Sequence, residues 1–296
     1  MPNPHSAARA NVRRLLAVLG LSTSILVIEL IGGLASNSLA LMADAAHVFT
    51  DTAGIGLALT AIWIGSRPAS TERTYGYLRL EILATVANAV LLFGMAGFIL
   101  YEAWVRLTEP PRVASGLMLG VALVSLLING VSLWLLRNVQ AKSLNMHAAY
   151  LEVVGDLGGS AAVIVAAAAI AATGWAAADA LASVAIAVLI LPRTWDLLRR
   201  ATDVLLEATP KGVKMDEVRT HILGAPGVAD VHDLHAWTIT SGVDVLSAHV
   251  VLKPGADGAA VLDFLCECLS GHFDIEHSTF QLEALDRRRL EGAAHG

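Results

Sequence analysis

The sequence predicts an all-α membrane domain of six transmembrane helices, followed by a small α+β cytosolic domain (αββαβ, ferredoxin-like). Three observations support this fold class. Of the 296 residues, 55% are hydrophobic and only 16% are charged, whereas soluble domains carry about 25% charged residues. Six apolar stretches approach or exceed the roughly 20 residues that a helix needs to cross a bilayer. After these stretches the hydrophobicity pattern changes to that of a soluble domain.

Short segments of turn-forming residues separate the six predicted helices. The apolar stretches cover residues 15–35, 39–65, 82–105, 116–136, 148–172 and 176–191. Between them lie segments such as 36–38 and 109–111, which contain Ser, Asn and Pro and therefore favour turns. We predict a cytosolic tail of residues 1–14, a six-helix transmembrane domain of residues 15–201 and a cytosolic domain of residues 202–296.

The predicted cytosolic domain contains two helices and three strands. A helix at 213–223 precedes a hairpin of strands 231–240 and 243–252, and a helix at 259–270 leads to a strand at 278–285. From Asp203 onward the chain has 15 acidic and 7 basic residues. The sequence shows no basic patch or aromatic stripe, so we predict no nucleic-acid partner.

Basic residues predict the orientation of the helices in the bilayer. The 2–3 and 4–5 loops contain Arg67, Arg73 and Lys142, whereas the first and fifth loops contain no Lys or Arg. Arg13 precedes the first helix, and Arg199 follows the sixth. Because cytoplasmic loops carry an excess of Lys and Arg, we predict that both termini are cytoplasmic.

Two pairs of ionisable residues lie within the predicted transmembrane helices. His47 and Asp51 are in the second helix, and Glu152 and Asp156 are in the fifth. Each pair has i, i+4 spacing, which places both side chains on one helix face. Ionisable groups at membrane depth are costly and usually functional. If the two helices pack together, the four groups form an N/O ligand set suited to a tetrahedral divalent cation such as zinc.

Three glycines and two further acidic residues also lie in the predicted transmembrane helices. Gly155, Gly158 and Gly159 are small enough to allow close helix packing. Glu29 and Asp44 lack an acidic or His partner at i, i+4, so we interpret them as interhelical or entrance-lining polar contacts.

The four-residue cluster also predicts coupling to protons. Crowded carboxylates in a low-dielectric site repel one another, so the empty site is expected to hold protons. A divalent ion requires deprotonated ligands, and its binding therefore displaces those protons. If the site opens alternately to each side, metal ions move one way and protons move the other.

Besides a secondary active transporter, three other classes of membrane protein could also place ionisable residues in apolar helices. An intramembrane metalloenzyme would need an activated water, a general base and an open coordination position, but the sequence offers no fifth acid or nucleophile at matched depth. A membrane-anchored metal sensor would not require ligands inside the membrane. A passive channel would carry metal without a proton gradient. The sequence favours the transporter over an enzyme.

Four motifs resemble signatures of the cation diffusion facilitator family, and they lie in residues 38–51, 149–160, 232–237 and 279–283. The resemblance covers essentially the whole chain and is closest in character to the bacterial cobalt–zinc–cadmium efflux branch. It implies a homodimer in the inner (plasma) membrane. It also implies efflux of a divalent transition metal, zinc first and also cobalt and cadmium, by metal/proton antiport with alternating access.

The resemblance also assigns the transport ligands. By family position these are His47, Asp51, Glu152 and Asp156, with the metal ion as the transported substrate. Many zinc members have His at the position of Glu152. The additional carboxylate is a harder ligand, so the choice among zinc, cobalt, cadmium, iron and manganese stays open.

A second metal site is implied in the cytosolic domain, at or near the dimer contact. By family position its ligands are His232, His249 and Glu283, with Gln281 in place of a common His. The resemblance thus implies a metal-binding and dimerisation role for residues 202–296. The alternative ligands are His235 and His277.

Overall fold

A computed structural model describes residues 4–65, 67–137 and 144–285 of the chain. Residues 1–3 of the predicted tail and 286–296 of the predicted cytosolic domain lie outside these ranges. The first helices are α1 Pro4–Ser36, α2 Leu39–Gly65, α3 Leu80–Thr108, α4 Ser115–Leu136, α5 Leu144–Thr173 and α6 Ala177–Leu205. They are followed by α7 Met215–Leu223, β1 Val228–Thr240, β2 Val243–Leu252, α8 Gly258–Phe273 and β3 His277–Glu283. This order confirms the predicted fold class.

The long helices have the dimensions of membrane spans. Five of those described are long and apolar enough to cross a bilayer, namely Leu16–Ser36, Leu80–Thr108, Ser115–Leu136, Ala149–Thr173 and Ala177–Leu205. Helix α2 has 27 residues. At about 1.5 Å per residue, that length exceeds the hydrocarbon core of roughly 30 Å.

Two helices extend well beyond their predicted ends. Helix α6 continues through Pro192 to Leu205, and α1 begins at Pro4. The prediction followed the apolar runs, which mark the membrane boundary. Arg and Leu favour helices in water as well, so a helix does not stop where its apolar run stops. The predicted domain boundary between residues 201 and 202 therefore falls inside α6, and it stays a prediction.

The chain divides into two compact units, the first of which comprises Met1–Leu59 and Thr85–Leu198. Small side chains fill much of its core, including Ala40, Ala43, Ala122, Ala166 and Ala167. Small residues at helix interfaces allow close backbone approach in membranes. Large apolar side chains lie exposed on the outer helix faces, as expected for lipid contact; they include Phe98, Trp104, Leu127, Val165 and Leu189.

The second unit comprises Thr60–Ala84 and Arg199–Gly296. Its sheet has the order β1-β2-β3, with β1 antiparallel and β3 parallel to β2. Helix α8 makes the crossover between the two parallel strands. Buried side chains of both short helices, among them Ile222 and Leu265, pack with Leu246 and Val250 of the central strand. The pairing of the three strands thus fixes which polar side chains of neighbouring strands lie side by side.

Candidate metal centres

Among the described residues, two groups of three His, Cys, Asp or Glu side chains lie close enough to hold a metal ion. The first joins α2 to α5. His47 Nε2 lies 3.6 Å from Asp51 Oδ2 and 3.7 Å from Asp156 Oδ1. All three ligand atoms are within 4.8 Å of one another. Tetrahedral zinc with bonds of about 2.0–2.1 Å places its ligand atoms about 3.3 Å apart, so the observed spacing is close to that of a shared ion.

These three residues expose little of their side chains. The exposed fractions are 14% for His47, 20% for Asp51 and 6% for Asp156. His47 Nδ1, Asp51 Oδ2 and Asp156 Oδ1 make no hydrogen bond with any described residue. Buried polar atoms normally have a partner. A bound cation or protons would therefore satisfy these buried polar atoms.

The fourth predicted ligand, Glu152, lies beside this group. It is half-buried one turn before Asp156, and its carboxyl group interacts with that of Asp51. Together with His47 and Arg193, Glu152 lines a cavity of about 590 Å³. The structure thus brings three of the predicted residues together and puts the fourth on the wall of the adjoining cavity.

Asp179 fixes the start of α2 and was not singled out from the sequence. This buried carboxylate accepts hydrogen bonds from Ser38 Oγ (2.6 Å), Leu39 N (2.6 Å) and Ala40 N (3.1 Å). Arg106 Nη1 lies 3.7 Å from it. The first N–H groups of a helix lack intrahelical acceptors and attract negative charge. An acidic residue at the start of an apolar helix is a signal for a helix-capping role, but it does not identify which helix is capped.

The glycines differ in how they assist helix packing. A side chain on Gly159 would collide with the carboxyl group of Asp44, so glycine there allows α2 and α5 to approach. Gly155 and Gly158 have open space beside them and line the cavity. The expectation of close packing is therefore met by only one of these three glycines.

The second group lies on the sheet, where the strand register brings its members together. His232 of β1 pairs with His249 of β2, and β3 carries Glu283. Glu283 Oε2 is 3.2 Å from His232 Nε2, and its Oε1 is 3.0 Å from His249 Nδ1. Glu283 is 2% exposed, so a buried carboxylate faces two half-buried imidazoles.

A bulge in β1 brings Asp233 to the same place. The strand register shifts between His232 and His235, and Asp233 has a φ of 49°. Such irregularities redirect side chains. Asp233 Oδ2 lies 3.7 Å from His249 Nε2, and Asp233 Oδ1 lies 2.9 Å from His235 Nε2. His235 is thus tied to Asp233 at the edge of the group, and His277 is paired with Val245 farther along β2.

Known protein families match both the membrane helices and the cytosolic domain of this chain. Residues 15–206 match the family described as the cation efflux transmembrane domain, and residues 210–285 match the cation efflux protein, cytoplasmic domain. The chain belongs to the cation diffusion facilitator family. This finding confirms the resemblance drawn from the four motifs.

Curated relatives match over nearly the whole transporter. It is 45% identical to the metal cation efflux system protein CzcD of Cupriavidus metallidurans, with 98% of this chain and 92% of that protein aligned. Identity to the zinc transporter ZitB of Escherichia coli is 39%, over 92% and 88% of the two chains. The cadmium, cobalt and zinc/H(+)-K(+) antiporter of Bacillus subtilis is 36% identical, over 93% and 88%.

A solved structure of the metal-bound C-terminal domain of the CzcD transporter is 43% identical, covering 24% of this chain and 99% of that one, with a TM-score of 0.23. Membership of the family makes this protein a membrane transporter for the efflux of divalent metal cations. It is not an enzyme, as the sequence predicted.

Proposed function

We propose that the transporter exports zinc, and also cobalt and cadmium, in exchange for protons through alternating access at His47, Asp51, Glu152 and Asp156. The observation that carries this proposal is the convergence of His47, Asp51 and Asp156 within 4.8 Å in the membrane helices. The names of the Escherichia coli and Bacillus subtilis relatives, a zinc transporter and a cadmium, cobalt and zinc/H(+)-K(+) antiporter, support the choice of metals and of protons as counter-ion.

The ligand chemistry supports a divalent ion. An imidazole and carboxylates suit zinc in a four-coordinate site. Glu152 interacts with Asp51 and borders the cavity, so a small movement of its side chain would complete the set. Carboxylate oxygen is also accepted by harder ions such as manganese. Glu152 is therefore the residue on which discrimination among metals depends.

Proton exchange follows from the charge of the site. Three carboxyl groups close together in a low-dielectric interior repel one another, so the site without a metal ion favours protons. A divalent ion takes the place of their protons. The site then faces each side of the membrane holding either the metal ion or protons. Metal ions and protons therefore cross the membrane in opposite directions.

We predict that zinc entry into proteoliposomes containing the transporter drives protons out. The proton release follows because zinc binding requires deprotonated ligands. A pH-sensitive dye trapped inside measures the change. Zinc uptake with no change in internal pH beyond that of protein-free vesicles would contradict the antiport.

The proposal includes a homodimer with a zinc site on each cytosolic domain. His232, His249 and Glu283 provide two imidazoles and one carboxylate within 4.8 Å, a ligand set found in zinc sites. Asp233, 3.7 Å from His249, is the nearest additional carboxylate. Because the bulge turns its side chain toward His249, we propose Asp233 as the fourth ligand.

Replacing His249 with alanine is expected to lower the zinc content of the purified, full-length transporter by about one ion per chain, because His249 is the central member of that group. Elemental analysis after dialysis measures the content. The matched control is His277→Ala, which removes an exposed imidazole from the same sheet. Equal zinc content in the wild type and both variants would contradict zinc binding at the cytosolic site.

Location in the inner membrane with both termini cytoplasmic completes the proposal. It is supported by the basic residues of the 2–3 loop, such as Arg67 and Arg73, and by the absence of Lys and Arg from the first and fifth loops. Labelling of single cysteines introduced into each loop of a variant with Cys266 and Cys268 replaced by serine would test it; a 2–3 loop labelled from outside would contradict this orientation.

A further inference from the structure

A buried carboxamide of α3 lies against the helix that carries two of the proposed metal ligands. The residue is Asn88, which is 8% exposed, and its Oδ1 makes no hydrogen bond with any described residue. Buried polar atoms normally have a partner. This uncharged oxygen, placed among membrane helices, therefore has the chemistry to accept a hydrogen bond or to bind a cation.

The contact between the two helices is made at Gly54 of α2. A side chain on Gly54 would place its Cβ 2.8 Å from Asn88 Nδ2, 3.3 Å from Cγ and 3.6 Å from Oδ1. A Cβ atom does not approach other atoms closer than 3.0 Å without displacing them. Glycine thus leaves room for the carboxamide of α3 in the place that a side chain of α2 would fill.

The position of Gly54 puts this carboxamide next in line after the ligands of α2. His47, Asp51 and Gly54 have the spacing i, i+4 and i+7, so they lie along one face of the helix. The rise from Asp51 to Gly54 is about 4.5 Å at 1.5 Å per residue. In the proposed orientation α2 runs toward the cytosol, and the carboxamide therefore lies on the cytosolic side of Asp51.

A carboxamide oxygen suits an ion that must move on. It carries no net charge, so it replaces part of a cation's hydration shell without holding the ion as strongly as a carboxylate does. Passage through a membrane protein requires binding that is favourable enough for entry and weak enough for departure. Polar side chains at membrane depth are costly and mark ion pathways.

We propose that Asn88 Oδ1 is a transient ligand for the metal ion on its way from the cytosol to Asp51. This inference rests on the proposed export of zinc, and it adds a residue of α3, a helix that supplies none of the four proposed ligands. The ion moves by ligand exchange from the carboxamide oxygen to the carboxylate of Asp51. Asn88 stays neutral throughout and transfers no proton.

Such a role affects how fast the transport site is loaded and leaves its equilibrium affinity unchanged. Removing the oxygen makes the approach to Asp51 less favourable for a partly dehydrated ion. The four proposed ligands, which determine the final affinity, are untouched. A carboxamide that only held α2 and α3 together would instead affect binding and transport alike.

The test combines zinc uptake into inside-out vesicles, which gives kcat/KM, with equilibrium zinc binding by the purified, full-length transporter. Asn88→Leu keeps the approximate size of the side chain and removes its oxygen. It should lower kcat/KM by about 10-fold, the smaller of the losses seen when groups around a metal site are changed. Gly54→Ala should have the same effect, because its methyl group displaces the carboxamide. Both variants should bind zinc with the wild-type number of ions and dissociation constant.

The matched control is Gly56→Ala, the same substitution on the same helix, where a side chain would meet no described residue within 4 Å. It should take up zinc at the wild-type rate. Asn88→Asp, the conservative variant, retains an oxygen ligand and should restore kcat/KM at least to the wild-type value.

Two results would overturn the inference. One is a wild-type kcat/KM in both Asn88→Leu and Gly54→Ala. The other is a loss of equilibrium zinc affinity in these variants that equals their loss of kcat/KM. Wild-type vesicles that take up no zinc would instead refute the proposed function, so the two failures are distinguishable.

Discussion

Replacing Asp156 with alanine is expected to abolish metal efflux. Asp156 is the most buried of the three clustered residues, and its Oδ1 lies 3.7 Å from His47 Nε2. It is the α5 carboxylate whose ligand atom lies within 4.8 Å of those of both His47 and Asp51. Its loss leaves an incomplete ligand set, and we expect zinc transport to fall by at least about 100-fold, since changes even to the groups around metal ligands cost 10–100-fold. Uptake of zinc into inside-out vesicles measures the effect.

The matched control for this variant is Thr52→Ala. Thr52 is also on α2, next to Asp51, but its hydroxyl donates to the carbonyl oxygen of Val48 in its own helix at 2.9 Å. This variant should transport zinc at close to the wild-type rate. If Asp156→Ala vesicles accumulated zinc as fast as those with Thr52→Ala, the ion would have to cross the membrane by another set of residues.

The parts of the fold that could be predicted are those fixed by local periodicity. Bilayer thickness sets the length of apolar runs, so α2 was predicted at its observed limits. Alternation and turn residues likewise located β2 at Val243–Leu252. His47 and Asp51 share a helix face because of their i, i+4 spacing, and this could be predicted without tertiary information. Such features depend on neighbours in the sequence.

The features that could not be predicted depend on contacts between distant segments. Asp179 meets Ser38 across 141 positions of sequence, and nothing local identifies the groups that donate to its carboxylate. The bulge at Asp233 redirects a side chain that regular alternation would place on the other face of the sheet. For Glu29 and Asp44 the sequence predicted interhelical or entrance-lining polar contacts, and the structure adds that both residues are buried.

Replacing Asp179 with alanine is expected to destabilise the membrane domain by about 3 kcal/mol. The carboxylate is 1% exposed and accepts from Ser38 Oγ and the N–H groups of Leu39 and Ala40. Its removal leaves these donors without that acceptor at a buried helix start, and each unsatisfied buried donor costs about 1–3 kcal/mol. The loss of an N-cap contributes on the same scale. The midpoint of thermal unfolding in detergent measures the change.

Ser183→Ala is the matched control, because Ser183 is equally buried on α6 but bonds the Asp179 carbonyl oxygen of its own helix at 2.7 Å. It should shift the midpoint far less, and Asp179→Asn, which keeps one oxygen acceptor, should fall between the two. Equal midpoints for Asp179→Ala and Ser183→Ala would show that the cap does not hold α2. If it does hold α2, the same variant should also weaken zinc binding, since the helix that starts at Leu39 carries His47 about two turns later and Asp51 about three turns later.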